Sequence, residues 1–262
     1  MSRLCPLYSG STGNSTYIGT EKGGILIDAG ASMKGICRAL ERAGGDYREI
    51  AAVFVTHEHS DHIKGLSVFL KSTGVVLAAS SKTLEALANS GKIPAGIKTI
   101  AADEGDTEIC GITVKRFATS HDCEGSSGYV FCLPDGKRAA VCTDLGVMTD
   151  EVRNAVSGCD TVLIESNHDI EMLKKGPYPP QLKMRILSEK GHLSNYACAS
   201  ELCGLLKSGT AHFLLGHLSR HNNLPMLAQK AAEDALIDIG ALNGRDYTLS
   251  VASPERNGVT VF

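Results

Sequence analysis

Apolar positions along the 262-residue chain fall into short β-like runs that alternate with stretches of helical period. Residues 4–8, 16–19, 24–27 and 51–55 read as strands. The last two are unbroken apolar runs, the pattern of a strand covered on both faces. Residues 33–43 carry a helical pattern that stops at Gly44-Gly45. Helices are expected over 63–72 and 81–90, around a strand at 75–79. The middle is strand-rich, at 112–118, 128–133 and 138–143. Pro134-Asp135-Gly136 joins the last two as a hairpin turn, because Pro presets φ and Gly admits positive φ. Further helices are expected at 150–156, 180–190, 195–207 and 224–238, with strands at 161–165, 212–215, 247–252 and 259–262. No linker-like segment interrupts this series. The expectation is one α/β domain spanning 1–262, a four-layer αββα sandwich of helices, sheet, sheet and helices.

Composition is that of a globular protein with a sizeable core, 43% apolar and 21% charged. The net charge of −3 offers no overall attraction for a polyanion. A nucleic-acid partner would need a local positive surface or bound metal ions. No stretch approaches the roughly 18 apolar residues of a membrane span. The opening MSRLCPLYSG lacks an apolar export segment, and nine cysteines are scattered without a CxxC pair. Free thiols, a cytoplasmic location and no membrane partner are therefore expected.

The densest chemistry is Thr56-His57-Glu58-His59-Ser60-Asp61-His62, directly after the apolar run 51–55. On extended chain His57 and His59 share one face, and the following turn aims Asp61 and His62 elsewhere. One short loop can thus serve two adjacent metal ions, and imidazole with carboxylate suits Zn²⁺, Mn²⁺ or Fe. This HxHxDH pattern resembles the signature of the metallo-β-lactamase fold. The resemblance implies further pieces, and the chain fills them in order. Asp28 in Ile27-Asp28-Ala29-Gly30 is expected to support the metal loop. His121 in Thr119-Ser120-His121 and His217 in Leu215-Gly216-His217 are expected as ligands, and Asp144 in Thr143-Asp144-Leu145 as the bridging carboxylate. The implied assignment is His57, His59 and His121 to one ion, Asp61, His62 and His217 to a second, with a bridging hydroxide as nucleophile.

Within that fold, Asp144 stands where the best-known β-lactamases carry a cysteine, although Cys142 lies close by. The stretch between Asp144 and His217 is too short for an inserted β-CASP domain. Ser9-Gly10-Ser11-Thr12-Gly13-Asn14-Ser15 resembles the opening of a compact nuclease and phosphodiesterase branch, implying phosphate contacts from Ser9, Ser11 and Asn14. Together with Glu165-Ser166-Asn167-His168-Asp169, Gly191-His192-Leu193-Ser194-Asn195 and Gly216-His217-Leu218-Ser219, the chain closely resembles the WalJ/YycJ subfamily of 5′→3′ DNA exonucleases. It is similar to tRNase Z in placing Glu165 and His192 as an acid pair, Asp61 also being expected among the catalytic groups. A carboxylate beside an imidazole raises its pKa and so supplies a proton for a leaving oxygen. His168, Lys174, Lys175, Lys183, Arg185, Lys190 and Arg220 are expected as a cationic rim, and Tyr178 as a base-stacking platform. The two GHLS tetrapeptides do not extend into a repeat. Their glycines are expected to free tight turns, and their serines to cap the next segment of chain. The expected function is a two-metal phosphodiesterase acting on DNA. The rivals are a hydrolase of small cyclic phosphates and a metal-containing nucleic-acid-binding module.

Overall fold

The structure is a computed structural model describing residues 2–255 and 257–262. The chain opens with β1 (Arg3–Tyr8), β2 (Ser15–Thr20) and β3 (Gly23–Ile27) in an antiparallel meander. Helix α1 (Met33–Arg42) then crosses to β4 (Ile50–Phe54), which runs parallel to β3. Helices α2 (Ser60–Ile63) and α3 (Leu66–Thr73) lead to β5 (Val76–Ala79), and α4 (Ser81–Asn89) leads to β6 (Thr99–Ala101). The second sheet begins with β7 (Thr107–Ile109), β8 (Ile112–Ala118), β9 (Ser127–Cys132) and β10 (Arg138–Cys142), successive neighbours being antiparallel. After α5 (Asp150–Val156) comes β11 (Thr161–Glu165), followed by α6 (Ile170–Lys175), α7 (Pro180–Ile186) and α8 (Asn195–Lys207). The chain continues through β12 (His212–Gly216), α9 (Pro225–Asp238) and β13 (Thr248–Val251), and β14 (Thr260–Val261) returns to pair with β1. The orders are β14-β1-β2-β3-β4-β5-β6 and β13-β12-β11-β10-β9-β8-β7.

Period-two alternation explains the unbroken apolar runs. On β3 and β4, Ile25, Ile27, Ala52 and Phe54 face Tyr129, Phe131, Val141 and Leu163 of the second sheet. Leu26, Val53 and Val55 point the other way, onto α1 and α3 through Ile36, Leu40, Phe69 and Leu70. The outer face of the second sheet packs likewise on α5, α8 and α9. These are the four layers expected. Ser32, Ser80, Thr149, Asp169 and Ser194 each accept an N–H of the first turn of the helix that follows. All nine cysteines are free, and Cys142 is buried in the core between strand and helices. Among the described residues no helix is long and apolar enough to cross a membrane.

The departures from the sequence expectation are local. The helix expected at 63–72 begins earlier and breaks in two at Gly65, whose N–H bonds Ala29 O. A side chain there would place Cβ 1.9 Å from Ala31 O, so the break is a close backbone contact. The helix expected at 180–190 ends at Ile186, where the chain folds back and His192 N–H bonds Ile186 O. The short β6 and β7 and the six-residue α6 carry too few buried positions to show in the pattern.

Strands β3, β4, β10, β11 and β12 all end at one rim of the sandwich, where their carboxyl ends leave the two sheets. Parallel strands place ligand sites at such ends. Tyr129 holds this rim from below. Its ring meets Phe54 edge-on at 5.3 Å, and its hydroxyl donates to Val55 O at 2.7 Å, tying the second sheet to the last residue before the histidine loop. Gly30 makes the loop's tightest contact: a Cβ there would lie 1.7 Å from Asp61 O. Gly30→Ala is therefore expected to destabilise by about 1–3 kcal/mol or more. Gly204→Ala, on an exposed helix position with nothing within 4 Å of the new methyl, is expected to stabilise by about 0.5–1 kcal/mol. Urea unfolding of both variants checks the pair.

Candidate metal centre

The histidine loop is pinned by one buried carboxylate. Asp28 Oδ1 accepts from Thr56 N–H at 2.8 Å, and Oδ2 accepts from the Thr56 hydroxyl at 2.8 Å and from His62 Nδ1 at 2.7 Å. These contacts settle which ring nitrogen carries the proton. His62 Nδ1 donates to a carboxylate, so its Nε2 is the nitrogen left to take a metal once any second proton is displaced. The Thr56 hydroxyl spends its hydrogen on Asp28, so His57 Nδ1, 3.0 Å away, donates to it and leaves Nε2 free. His121 Nδ1 donates to Gly191 O at 3.2 Å, and His217 Nδ1 donates to Glu165 Oε1 at 2.7 Å. Four rings on three segments are thus held by Nδ1, with Nε2 as the free ring nitrogen. His59 is the exception: its Nδ1 is the inward atom, 3.0 Å from His57 Nε2.

These acceptors converge. Donor atoms of His57, His59 and His121 lie within 4.8 Å of one another, as do those of Asp61, His62 and His217, and those of His57, His62 and Asp144. Asp144 Oδ2 and His217 Nε2 are buried with no hydrogen-bond partner. Asp144 Oδ2 is 3.4 Å from His62 Nε2, and Asp61 Oδ2 is 3.8 Å from His217 Nε2. Buried polar atoms are normally paired. A convergent set of imidazole nitrogens and carboxylate oxygens, two of them buried without a partner, fits a divalent cation.

Comparison with known proteins agrees with the geometry. Residues 24–217 match the family described as Beta-lactamase superfamily domain. The exodeoxyribonuclease WalJ of Streptococcus pneumoniae serotype 2 is 38% identical over 253 residues, covering 95% of this chain and 93% of that protein. The chain belongs to the beta-lactamase superfamily, in its WalJ/YycJ branch. The exodeoxyribonuclease YycJ of Bacillus anthracis is 36% identical over 251 residues, with 95% and 94% covered. The metallo-β-lactamase fold protein YhfI of Bacillus subtilis superposes over 100% of both chains at a TM-score of 0.73 and 13% identity, a likeness of fold.

Backbone strain in this metallo-β-lactamase site sits at the strand ends. Asp28, Asp144 and His217, which follow β3, β10 and β12, have φ of 60°, 57° and 56°. A non-glycine residue there costs of order 1–3 kcal/mol and persists only where its surroundings over-determine it. His217 shows how. Its N–H donates to Ser9 Oγ at 2.8 Å, its carbonyl accepts from Asn167 Nδ2 at 2.8 Å, and its ring is held by Glu165.

Glu165, fully buried, accepts from His192 Nδ1 at 2.8 Å as well as from His217, while its Oε2 accepts from the N–H groups of Leu145 and Leu193. The expected Glu165–His192 pair is therefore part of a larger knot, and Glu165 positions both GHLS histidines without reaching the cleft. Burial pushes the His192 imidazolium down, but the Glu165 carboxylate outweighs it and the net shift is upward.

A cleft of about 380 Å³ lies over these groups, lined by Asp61, His121, Asp144, His192 and His217 and, on its other wall, by Tyr178 and Arg185. Ser11 also lines it. Several other expected contacts are corrected. Ser9 and Asn14 are buried and committed to protein: Ser9 to His217, and Asn14 through Nδ2 to Asp61 Oδ2 at 3.2 Å. His168 is buried rather than on a rim, and burial pushes its imidazole down to about 4. The Lys183 ammonium donates to Lys174 O, and Lys174 and Lys175 pair with Glu171. Neither Lys190 nor Arg220 lines the cleft. Gly191 and Gly216 have no positive φ. A Cβ would lie 2.2 Å from Ile186 O at the first and 2.7 Å from Leu163 Cδ1 at the second, so both are needed for close approach. Ser194 caps α8, whereas Ser219 accepts from Asn222 N–H in a loop.

Two residues of the site were not read from the sequence. Asn167 lines the cleft and joins the GHLS segments, its N–H on Leu193 O and its carbonyl under Ser219 N–H. Asp122 lies beside His121 and His59. An Asn inside the Glu165–Asp169 motif and a carboxylate adjoining a lone histidine were the available signals.

The two ligand groups differ in how firmly they hold protons. Burial, and then the neighbouring imidazoles, push His57 well down, and burial also lowers His121. Burial opposes charge on His62 too, but Asp144 and Asp28 outweigh it and raise His62 to about 9; Asp144, Asp61 and Glu165 likewise raise His217. Metal binding must displace such protons. At pH 7 an ion entering the Asp61–His62–His217 group is expected to release about one proton or more, and its affinity to rise with pH up to about 9. An ion entering the His57–His59–His121 group is expected to release few. Calorimetric titration with Zn²⁺ in buffers of different ionisation enthalpy counts the protons, and equal release throughout would contradict the distinction.

Proposed function

We propose that the chain is a divalent-metal-dependent DNA exonuclease using two ions. His57, His59 and His121 hold one, Asp61, His62 and His217 the other, and Asp144 serves both. The observation that carries this reading is that three overlapping groups, His57–His59–His121, His57–His62–Asp144 and Asp61–His62–His217, each bring their donor atoms within 4.8 Å of one another beneath an open cleft. Near-full-length similarity to proteins named exodeoxyribonucleases supplies the substrate class, DNA. The imidazole and carboxylate donors suit Zn²⁺, Mn²⁺ or Fe. Bound ions supply Lewis acidity, activating water and offsetting the charge that builds on the phosphoryl oxygens.

The chain's own groups do the rest. Asp28 and Glu165 fix the ring orientations, so the ligand set is assembled before substrate arrives. His192 is held by Nδ1 on Glu165 and lines the cleft, and its Nε2 carries the proton for the departing oxygen. The upward shift of this imidazole keeps more of the acid form near neutral pH. Ser11 and Arg185 contact the backbone, and Tyr178, whose ring meets His221 at 5.9 Å, offers a face to one base. The 5′→3′ polarity and the cytoplasmic location follow from the resemblance and the free thiols.

The metal-loaded protein is expected to remove 5′ label from single-stranded DNA and to leave a cyclic nucleotide and a thioester intact. Hydrolysis of the small ester alone would sink the nuclease reading. Asp144→Ala is expected to abolish hydrolysis and weaken metal binding. His192→Ala is expected to lower turnover by about 10²–10⁴-fold with metal content unchanged. If His192→Ala loses a metal equivalent, the division of labour between ligands and acid is wrong.

A further inference from the structure

Arg185 is the one lysine or arginine among the described residues that line the cleft. Its Nε and Nη2 both meet Asp122 Oδ2, closing α7 onto the loop that carries His121. The other oxygen, Asp122 Oδ1, lies 3.4 Å from His121 Nε2 and 3.6 Å from His59 Nε2. The guanidinium is half-exposed and the carboxylate about one quarter exposed, so an incoming anion can reach the pair. Carboxylate and phosphate offer a guanidinium the same forked acceptor, and a half-exposed ion pair is weakly held. With a net charge of −3, no general attraction replaces this cation.

We propose that Asp122 is an internal stand-in for substrate phosphate, holding Arg185 over the cleft until a nucleic-acid backbone displaces it. This rests on the nuclease reading above. Asp122 then sets a threshold for binding: only a ligand that competes with a carboxylate for the guanidinium gains the cation. Once released, Asp122 remains beside the histidines, where His59 Nε2 is an available donor.

The test compares wild type, Asp122→Asn, Arg185→Ala and the double variant. Each is metal-loaded and titrated with a labelled phosphorothioate oligothymidylate by fluorescence anisotropy, metal content being measured in each. Asp122→Asn is expected to tighten binding about threefold to tenfold at low salt, an advantage that fades as salt rises. Arg185→Ala is expected to weaken binding, and the double variant to match Arg185→Ala. Weaker binding or lost metal in Asp122→Asn would overturn the proposal, making Asp122 a support of the histidines. Equal tightening in the Arg185→Ala background would overturn it too, as a general charge effect. Cleavage of unmodified single-stranded DNA is scored in the same preparations, so failure of the nuclease reading appears separately from the order of the four affinities.

Discussion

The carboxylate of Glu165 has no access to water and four donors around it. Removing such a charge from solvent costs several kcal/mol, and only charge-assisted hydrogen bonds with good geometry offset that. Here the donors come from two strand exits and a helix entrance: Leu145 beside Asp144, His217 after β12, and His192 and Leu193 before α8. The carboxylate is satisfied only when all four are in place. A single desolvated charge thus makes the positions of Asp144, His217 and His192 mutually dependent. Asp28 does the same on the first sheet for Thr56 and His62. The two halves of the sandwich each contribute one buried acid that orders one half of the site.

That arrangement explains where the strain lies. Asp28, Asp144 and His217 take left-handed backbone conformations at strand ends, where the chain must turn sharply while its side chain points back across the rim. The cost is carried by contacts far apart in sequence, such as Ser9 on His217 N–H and Tyr129 on Val55 O. Ser9 and Asn14 of the Ser/Gly-rich opening therefore work as scaffold. Asn14 N–H and Nδ2 both bind Asp61, and Gly30 lets that backbone approach.

Most of the layers were legible because β3 and β4 bury both faces, which leaves unbroken apolar runs, and because helix starts carry capping residues. The cluster of candidate ligands was legible for a different reason. His57, His59, Asp61 and His62 crowd one loop, a concentration of chemistry that folding alone does not require, and Asp144 and His217 each follow a recognisable apolar strand. The direction of side chains whose role depends on tertiary packing did not show. Ser9, Asn14 and His168 look like polar surface in the chain, yet each is buried. A lysine on a helix has no signature telling whether it faces a cleft or, like Lys183, a neighbouring carbonyl. The edge strands β6 and β7 bury too little to impose a pattern.

The twin GHLS tetrapeptides show how far identical letters constrain structure. Both glycines are required by close approach, yet to different neighbours, Ile186 O and Leu163 Cδ1. Both histidines give Nδ1 to the same Glu165 oxygen, so their rings share one anchor and lie 5.3 Å apart. From that shared anchor the outcomes diverge by burial alone. Both rings border the cleft, but the His217 ring is 3% exposed, with an Nε2 that meets no donor, whereas the His192 ring is 19% exposed. An imidazole sealed among carboxylates suits a cation, and one open to substrate suits proton transfer. Asn167 keeps the two apart by bonding Leu193 O on one side and His217 O and Ser219 N–H on the other. Under the proposed division between metal ligand and acid, the difference is set by the loops that cover each ring, since the residues themselves and their shared carboxylate are the same.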